Sequence, residues 1–310
     1  MNKLTRTIAI TGITSPIGLA VYRLFKEEGF LVRGLSRSSD MSDFDCDIWQ
    51  GDISSTHLID EEFFKDVDIF VHCAAELRCH SRMEETNVAG TSNLLKLAKS
   101  NSVKHWIQLG SCGSYGSPLE GSICEASDEK PNGLYETTKT KSDYLVKESG
   151  IPFTILRPSI LISNKMKSRG FQDLLKVSEL GIRFLVPRDS IFNVAHVEDV
   201  ARAILMVSSS SKALNRTYII SRPIHVNRVL DKLTRDSGAR LKICIPVMLI
   251  QKILSFCFFK RLCRDVSFRL KNLTKSCIYE SLLAERELGF QHRVEENKIL
   301  KDLQLASILK

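Results

Sequence analysis

The sequence lacks the cysteine patterns of a metal-binding or disulfide-stabilised protein. Its nine cysteines are odd in number and scattered, with no Cys-x-x-Cys pair and no Cys/His spacing typical of zinc sites. We therefore predict neither a metal site nor a disulfide framework, and we expect the reducing cytoplasm as the compartment.

Long apolar segments are also absent. No run of 18 uncharged residues occurs, and residues 1–5 lead almost directly into a predicted strand without an apolar signal segment. We expect a protein that is neither exported nor membrane-spanning. The chain has no internal repeat, and 43% hydrophobic residues over 310 positions are enough for the core of one large or two closely associated domains.

The N-terminal residues predict a strand, a glycine turn and a helix. Residues 6–11 form an apolar run and 17–28 have helical periodicity. Gly12 permits a tight turn, Gly18 permits close helix packing, and Pro16 suits a first helical position. Such a turn lets backbone N–H groups and the positive helix end bind a pyrophosphate. A glycine turn in a fold that binds no cofactor is the alternative.

Two residue choices near this turn bear on the cofactor. Ser15 stands where a dinucleotide fingerprint has its middle glycine, so the cofactor must tolerate its hydroxymethyl group or use it as a donor. The next predicted strand, 30–35, ends in Ser36 and Arg37, neither of which is acidic. An arginine can pair with the 2′-phosphate of NADP, whereas a carboxylate would bind the ribose hydroxyl of NAD. We expect NADP(H), with NAD(H) as the alternative cofactor and a solvated surface role as the alternative for Arg37.

The spacing of three polar residues predicts proton transfer at a carbonyl or hydroxyl carbon. Tyr135 and Lys139 lie four residues apart in YETTK, and Ser111 follows an apolar run upstream. Positions i and i+4 share a helix face, so the Lys139 ammonium can favour the ionised form of the phenol and bring its pKa from about 10 toward neutrality. A solvated helix face is the alternative. The nearby Cys112 has no evident base partner, so we do not expect it to be a nucleophile. We also do not expect a catalytic role for His72, which has apolar neighbours, or for His196.

The ordered motifs resemble a known family over nearly the whole chain. The extended short-chain dehydrogenases/reductases have motifs similar in order and approximate spacing to TGITSPIG, GDI, VHCAA, NVAGTSNLL, GSCGSYG, YETTK, ILRPSIL and FNVAHVEDVARAI. The closing ELGFQHRVEENKILKDL resembles the branch that holds nucleotide-sugar epimerases, dehydratases and 4-ketoreductases. One departure is SILISNK after Arg157-Pro158, where many sugar epimerases have Tyr-Gly-Pro.

This resemblance implies roles for particular residues. The catalytic residues would be Ser111, Tyr135 and Lys139, and Asn87 would order the region beneath the cofactor. The residues expected to bind the cofactor are Gly12, Ser15, Ile17, Gly18, Ser36, Arg37, Asp52, Ile53, Ala74, Ala75, Tyr135, Lys139 and Pro158.

The alternation of strands and helices predicts an α/β fold with a doubly wound parallel (Rossmann) sheet. We expect residues 1–158 to form the NAD(P)-binding core, completed by segments near 191–221, of which 191–195 and 217–221 would join the main sheet. Residues 159–190 and 222–310 would form a smaller C-terminal substrate-binding lobe over the carboxyl ends of the strands.

The resemblance implies an oxidoreductase acting on the 4-position of a nucleotide-diphosphate sugar. The Ser36-Arg37 end, Ser15 and the absent Tyr-Gly-Pro favour a 4-ketoreductase. The alternatives are an NAD-dependent 4-epimerase of a UDP-hexose and a non-catalytic regulatory protein that binds NAD(P). A homodimer is compatible with the sequence.

The net charge of +8 is concentrated in one region. Residues 222–275 contain thirteen Lys/Arg against three Asp/Glu, a balance of +10. An anionic diphosphate substrate or acidic lipid would suit this excess, whereas nucleic acid is not expected because no recognition pattern accompanies it. The apolar stretch 246–259 within it predicts a helix packed in the small lobe. The alternative is an interfacial helix making a weak peripheral membrane contact.

Overall fold

The computed structural model describes residues 6–38, 44–55, 59–118, 120–166, 169–236, 243–255 and 270–308. The strands in these residues are β1 (Thr7–Thr11), β2 (Leu31–Ser36), β3 (Asp47–Gln50), β4 (Ile69–His72), β5 (His105–Leu109), β6 (Ser122–Ile123), β7 (Phe153–Pro158), β8 (Ile160–Ile162), β9 (Ile182–Leu185), β10 (Ile191–His196), β11 (Arg216–Ile220), β12 (Arg222–His225), β13 (Ile243–Pro246) and β14 (Ile278–Tyr279).

The helices in the same residues are α1 (Pro16–Glu27), α2 (His80–Met83), α3 (Gly90–Ser100), α4 (Leu134–Glu148), α5 (Arg169–Glu179), α6 (Val197–Ser208), α7 (Val226–Asp236), α8 (Val247–Ser255), α9 (Leu282–Leu288) and α10 (Glu296–Ile308). A π-helical segment, Glu84–Ala89, joins α2 to α3.

Seven strands form one parallel sheet in the order β3-β2-β1-β4-β5-β7-β11. The chain moves outward in one direction through β2 and β3, then returns to the centre and moves outward in the other direction from β4. This reversal between β1 and β4 is the point at which doubly wound sheets bind ligands. The predicted α/β Rossmann fold is confirmed.

Burial on both faces explains why the central strands read as continuous apolar runs. Every residue of β1, β4 and β5 is buried. Helix α1 buries Ile17, Val21 and Phe25 on one face, and this face belongs to the same core as α6, which contacts α1. The sheet and its flanking helices thereby hold the turn after β1 in a fixed position.

A second core lies outside the large sheet. It is formed by β8, β10 and β12 together with apolar residues of α5, α7, α8 and α10. Strand β10 pairs with β8 in parallel and with β12 in antiparallel orientation. The expectation that 191–195 joins the main sheet was therefore wrong, whereas β11 does join it. The edge position next to β7 is occupied by β11, so β10 is left to pair with the strands of the smaller lobe.

The apolar stretch 246–259 contains the predicted helix, which begins one residue after the start of the stretch. Helix α8 covers Val247–Ser255, and residues 256–259 lie outside the described residues. Within the described part of the chain, no helix is both long and apolar enough to cross a bilayer.

Candidate active site

A cavity of about 780 Å³ lies at the carboxyl ends of the central strands, between the large sheet and the second core. Its lining includes every residue predicted for the site except Gly18: Gly12, Ser15, Ile17, Ser36, Arg37, Asp52, Ile53, Ala74, Ala75, Ser111, Tyr135, Lys139 and Pro158. The lining also includes Phe192, Asn193, Asn272, Lys275, Cys277 and Tyr279. The fold thus brings together groups from nine separate stretches of sequence.

The glycine turn after β1 requires both of its glycines. Gly12 has a φ of +66°, and a side-chain Cβ there would lie 2.8 Å from the Cα of Ala74. A Cβ on Gly18 would lie 2.1 Å from the carbonyl oxygen of Gly12. Gly18 therefore allows the first turn of α1 to pack closely against Gly12, although Gly18 itself does not line the cavity.

Ser15 completes the turn with its own hydroxyl. Its backbone is extended (φ −71°, ψ 155°), so no glycine is needed there. The Ser15 hydroxyl donates to the carbonyl oxygen of Gly12 at 2.7 Å and accepts from the N–H of Gly18 at 3.0 Å, which makes it the N-cap of α1. Because the Ser15 hydroxyl already donates its proton to Gly12, it has no proton left for a hydrogen bond to a cofactor. A cofactor would therefore have to tolerate this hydroxymethyl group.

Near the carboxyl end of β2, the cavity is lined by an arginine and by a carboxylate from the loop after β3. Arg37 is exposed and follows the buried Ser36. Asp52 accepts hydrogen bonds from the N–H and hydroxyl of Ser54 and pairs with Arg82 at 3.1 Å. Burial alone would raise the pKa of Asp52, but these hydrogen bonds and the charges of Arg82 and Arg37 hold it below its usual value. The carboxylate is therefore ionised at neutral pH.

The three predicted catalytic residues line the cavity together. Ser111 follows β5 and caps a short 3-10 turn, where its hydroxyl accepts from the N–H of Gly113 at 3.0 Å. Tyr135 lies in the first turn of α4 and Lys139 lies one turn later on the same face. The Lys139 side chain is 2% exposed, whereas Tyr135 is partly exposed to the cavity.

The electrostatics at Tyr135 differ from the expectation. Burial raises the pKa of Tyr135 above its usual value, and the carboxylates of Glu136 and Asp143 raise it further. Burial also lowers the pKa of Lys139, although the charge of Asp143 opposes this. The expected lowering of the tyrosine pKa by Lys139 was therefore wrong for the protein by itself, and the phenol is held in its protonated form.

Asn87 ties the loop after β4 to the helix that carries Tyr135. Its side-chain oxygen accepts from the N–H of Glu76 at 2.7 Å, and its amide donates to the carbonyl oxygen of Glu76 at 3.1 Å. The same amide donates to the Thr138 hydroxyl at 3.0 Å. This geometry suits the ordering role expected for Asn87.

A buried ion-pair network behind α4 was not anticipated from the sequence. Asp143 continues the face of Tyr135 and Lys139 by one more turn. Its carboxylate accepts from Nε of Arg157 at 3.0 Å, and Nη2 of Arg157 lies 2.9 Å from Glu129. Asp143 and Arg157 are at most 1% exposed, so the pair holds α4 against β7 with little solvent screening. The repeated four-residue spacing of Tyr135, Lys139 and Asp143 was the sequence signal from which Asp143 could have been predicted.

Part of the cavity wall comes from residues that are distant in sequence from the catalytic residues. The Lys275 ammonium donates to the Ser117 hydroxyl, and burial lowers the pKa of Lys275. Asn193 donates to the carbonyl oxygen of Cys277 at 2.8 Å and accepts from the N–H of Tyr279 at 3.1 Å. Strands β6 and β14 pair next to these contacts. Sequence reasoning missed these residues; the basic excess of 222–275 was the one signal for Lys275.

The residues that were not expected to be catalytic, His72, His196 and Cys112, have other hydrogen-bond partners. His72 contacts the hydroxyls of Thr11 at 2.7 Å and Thr91 at 3.1 Å, and burial holds its pKa well below the usual value, so it is neutral. His196 caps α6 and lies 3.0 Å from Asp302. The Cys112 thiol donates to a backbone carbonyl oxygen at 3.2 Å, and burial raises its pKa.

The cavity fits a nicotinamide dinucleotide better than a metal. The glycine cradle offers the close backbone approach that a pyrophosphate needs. The hydroxyls of Thr86 and Ser159 line the cavity, are buried and have no protein partner, so they suit a polar ligand. Within the described residues, no group of three or more His, Cys, Asp or Glu side chains could hold a metal ion.

Comparisons with known proteins agree with this geometry. The model of the NAD dependent epimerase/dehydratase family matches residues 8–221. A UDP-glucose 4-epimerase of Vibrio cholerae is 26% identical over 240 residues, 71% of this chain and 72% of that protein.

Solved structures share the fold over nearly the full length. WbmG of Bordetella bronchiseptica in complex with NAD superposes with a TM-score of 0.75 at 17% identity, over 98% of this chain and 94% of that one. The UDP-glucose 4-epimerase of Thermotoga maritima with UDP-glucose gives a TM-score of 0.73 at 19% identity, over 96% and 98% of the two chains.

Proposed function

The chain belongs to the NAD dependent epimerase/dehydratase family, an enzyme family of the extended short-chain dehydrogenase/reductase type, and we propose that it oxidises or reduces the 4-position of a nucleotide-diphosphate sugar. The observation that carries this proposal is the convergence of Ser111, Tyr135 and Lys139 on the same cavity as the glycine turn. The two solved relatives named above contain NAD and UDP-glucose respectively.

Each catalytic residue has a role that its position supports. A bound nicotinamide supplies the redox equivalent, a hydride, at the sugar carbon. Tyr135 exchanges a proton with the sugar oxygen, and Ser111 donates a hydrogen bond to the same oxygen. Lys139 acts indirectly, by holding the nicotinamide ribose.

The half-buried Lys275 is proposed to hold the anionic part of the substrate. Lys275 lies in the wall of the same cavity as the catalytic residues, in the region of the chain that carries most of its positive charge. A partly desolvated ammonium attracts a phosphate more strongly than an exposed one does. A nucleoside diphosphate placed along this wall would direct its sugar toward Tyr135.

Among the possible outcomes we favour net reduction, that is, a 4-ketoreductase that uses NADP(H). Reduction of a ketone requires a proton at the oxygen, and the protonated phenol of Tyr135 lines the cavity where it can supply one. Arg37 and the absence of a carboxylate at Ser36-Arg37 support the phosphorylated cofactor.

The alternative is an NAD-dependent 4-epimerase. It is favoured by the Vibrio cholerae relative, which is a UDP-glucose 4-epimerase, and by the NAD in the Bordetella bronchiseptica structure. An epimerase must first remove the proton of a hydroxyl, which requires an ionised tyrosine.

We propose that residues 1–158, completed by segments near 191–221, form the Rossmann core and that residues 159–190 and 222–310 form the substrate lobe. Helix α6 and strand β11 support the assignment of 191–221 to the core, whereas β10 pairs with β8 and β12 and contributes to the second core, so it belongs with the smaller lobe. We further propose that the reaction takes place in the cytoplasm.

The deciding experiment compares two assays on the purified enzyme. A nucleotide-linked 4-keto-6-deoxysugar should consume NADPH in stoichiometric amounts. If instead a UDP-hexose is converted to its 4-epimer without added cofactor, the epimerase takes the place of the reductase. The Tyr135→Phe variant serves as the matched control, because activity that survives in it does not come from this site.

A further inference from the structure

The catalytic cavity contains a carboxylate to which the roles described above assign no function. Glu136 follows Tyr135 in the first turn of α4, lines the cavity and is half-buried. Among the described residues its carboxylate has no hydrogen-bond or ion-pair partner, whereas its backbone carbonyl oxygen accepts from the Thr140 hydroxyl at 2.8 Å. A half-buried carboxylate without a protein donor has lost part of its water without a replacement, so it suits a ligand that supplies a donor.

Two glycines leave the space that this side chain fills. A side-chain Cβ at Gly113 would lie 2.6 Å from Cγ of Glu136, and a Cβ at Gly133 would collide with Oε2 of Glu136. Neither glycine has a positive φ, so the backbone conformation does not require glycine at either position. Glycine at both positions therefore permits the Glu136 side chain to take this place in the cavity wall.

Glu136 lies beside the groups that are proposed to bind the reacting oxygen. The same Cβ position at Gly113 lies 3.2 Å from the hydroxyl oxygen of Ser111, so Ser111 and Glu136 flank one small space. The phenol of Tyr135 is also close: burial is the largest cause of its raised pKa, and the charge of Glu136 is the next. A group bound by Glu136 would therefore be a neighbour of the group bound by Ser111 and Tyr135.

We propose that Glu136 determines substrate specificity by accepting a hydrogen bond from the 3-hydroxyl of the sugar. This inference rests on the proposed function, in which Ser111 and Tyr135 hold the oxygen at C4. The neighbours of C4 are C3, which carries a hydroxyl, and C5, which carries the ring oxygen and a carbon substituent. Because a carboxylate only accepts hydrogen bonds, the 3-hydroxyl is the adjacent group that it can bind.

A purely structural role is the competing explanation for Glu136. A carboxylate in the first turn of a helix interacts favourably with the positive helix end, and this interaction requires no ligand. Loss of such a role would change stability and would affect all substrates equally. Loss of a contact with the 3-hydroxyl instead changes the ratio of activities on two substrates, which is therefore the quantity to measure.

The test compares a substrate with its 3-deoxy analogue. Both are assayed on the purified full chain in the reaction that the wild type catalyses, either reduction of a nucleotide-linked 4-ketosugar or interconversion of a UDP-hexose. The wild type should prefer the hydroxylated substrate in kcat/KM by about 10- to 100-fold, the value of a hydrogen bond to a charged group. Glu136→Ala should reduce this preference to less than about threefold. Glu136→Gln, whose amide oxygen still accepts, should give an intermediate value.

Glu148→Gln is the matched control, because it removes one carboxylate from the same helix at an exposed position that does not line the cavity. It should retain the full preference, and the Tm of all three variants should stay close to that of the wild type. An unchanged preference in the Glu136 variants, or no preference in the wild type, overturns the inference and leaves the proposed function in place. A wild type that turns over none of these substrates contradicts the proposed function, and the inference fails with it.

Discussion

At the scale of single residues, the phenol of Tyr135 carries the proposed chemistry. Replacing Tyr135 with phenylalanine removes the proton donor without changing the shape of the helix. We expect turnover to fall about 10²- to 10⁴-fold, the usual contribution of a positioned acid or base. Cofactor titration should show unchanged affinity, because the other cavity residues remain in place.

Tyr144→Phe is the control for this substitution. Tyr144 lies on the same helix, is 47% exposed and does not line the cavity. Loss of activity in this variant, or near-normal turnover of Tyr135→Phe on the true substrate, would show that Tyr135 does not transfer the proton.

Lys275 should act on substrate binding rather than on the chemical step. The change Lys275→Met removes the half-buried ammonium while keeping most of the side-chain volume. We expect KM to rise about 10- to 100-fold, because a charge-assisted contact is worth about 1.5–3 kcal/mol, and we expect kcat to change little. Steady-state kinetics measure both constants.

Lys271→Met is the matched control for Lys275→Met. Lys271 lies four residues earlier in the sequence, is exposed and does not line the cavity. A fall in kcat at constant KM for Lys275→Met would contradict the anchoring role.

At the scale of elements, Asp199 joins α6 to the chain before α10. Its carboxylate accepts from the N–H groups of Arg293 at 3.1 Å and Val294 at 3.2 Å and pairs with Arg202. The change Asp199→Ala leaves two amides without an acceptor. We expect the free energy of unfolding to fall by about 2–5 kcal/mol, measured by denaturant titration. Glu198→Ala removes an exposed neighbour and should cost less than about 1 kcal/mol.

The same carboxylate predicts how stability depends on pH. Burial would raise the pKa of Asp199, but hydrogen bonds from His292 and the backbone, with the charge of Arg202, hold it below its usual value. Its contribution is therefore complete above the unfolded pKa and is lost as pH falls through the folded pKa. The difference in stability between wild type and Asp199→Ala should shrink below about pH 4. A difference that grows as the pH falls there would contradict this assignment.

At the scale of the whole molecule, cofactor binding should stabilise the fold. A ligand at about 100 times its Kd adds about 2.7 kcal/mol and should raise Tm by about 5 °C. The shift should be larger with NADP(H) than with NAD(H) at equal concentration. Arg37→Ala should weaken NADP(H) binding about 10- to 100-fold and leave NAD(H) binding unchanged.

Arg23→Ala is the control for the Arg37 experiment. Arg23 is exposed on α1 and does not line the cavity. Equal weakening of both cofactors by Arg37→Ala would show that Arg37 does not select the phosphorylated form.

The sequence by itself determined the features that depend on short spacing along the chain. The strand, turn and helix from Thr7 to Glu27 follow from local periodicity and from two glycines whose Cβ atoms would collide with backbone. The four-residue spacing of Tyr135 and Lys139 places both on one face of α4 whatever surrounds the helix. The ordered motifs likewise identified the family and the Rossmann fold, and both were confirmed.

Only the tertiary structure decided the features that depend on distant segments. Lys275 reaches the cavity through contacts with residues more than 150 positions away, and no local pattern encodes such a contact. Strand β10 is not part of the main sheet, because β11 occupies the edge beside β7. Burial and the carboxylates of Glu136 and Asp143 raise the pKa of Tyr135, and burial is a property of the packed molecule rather than of sequence spacing.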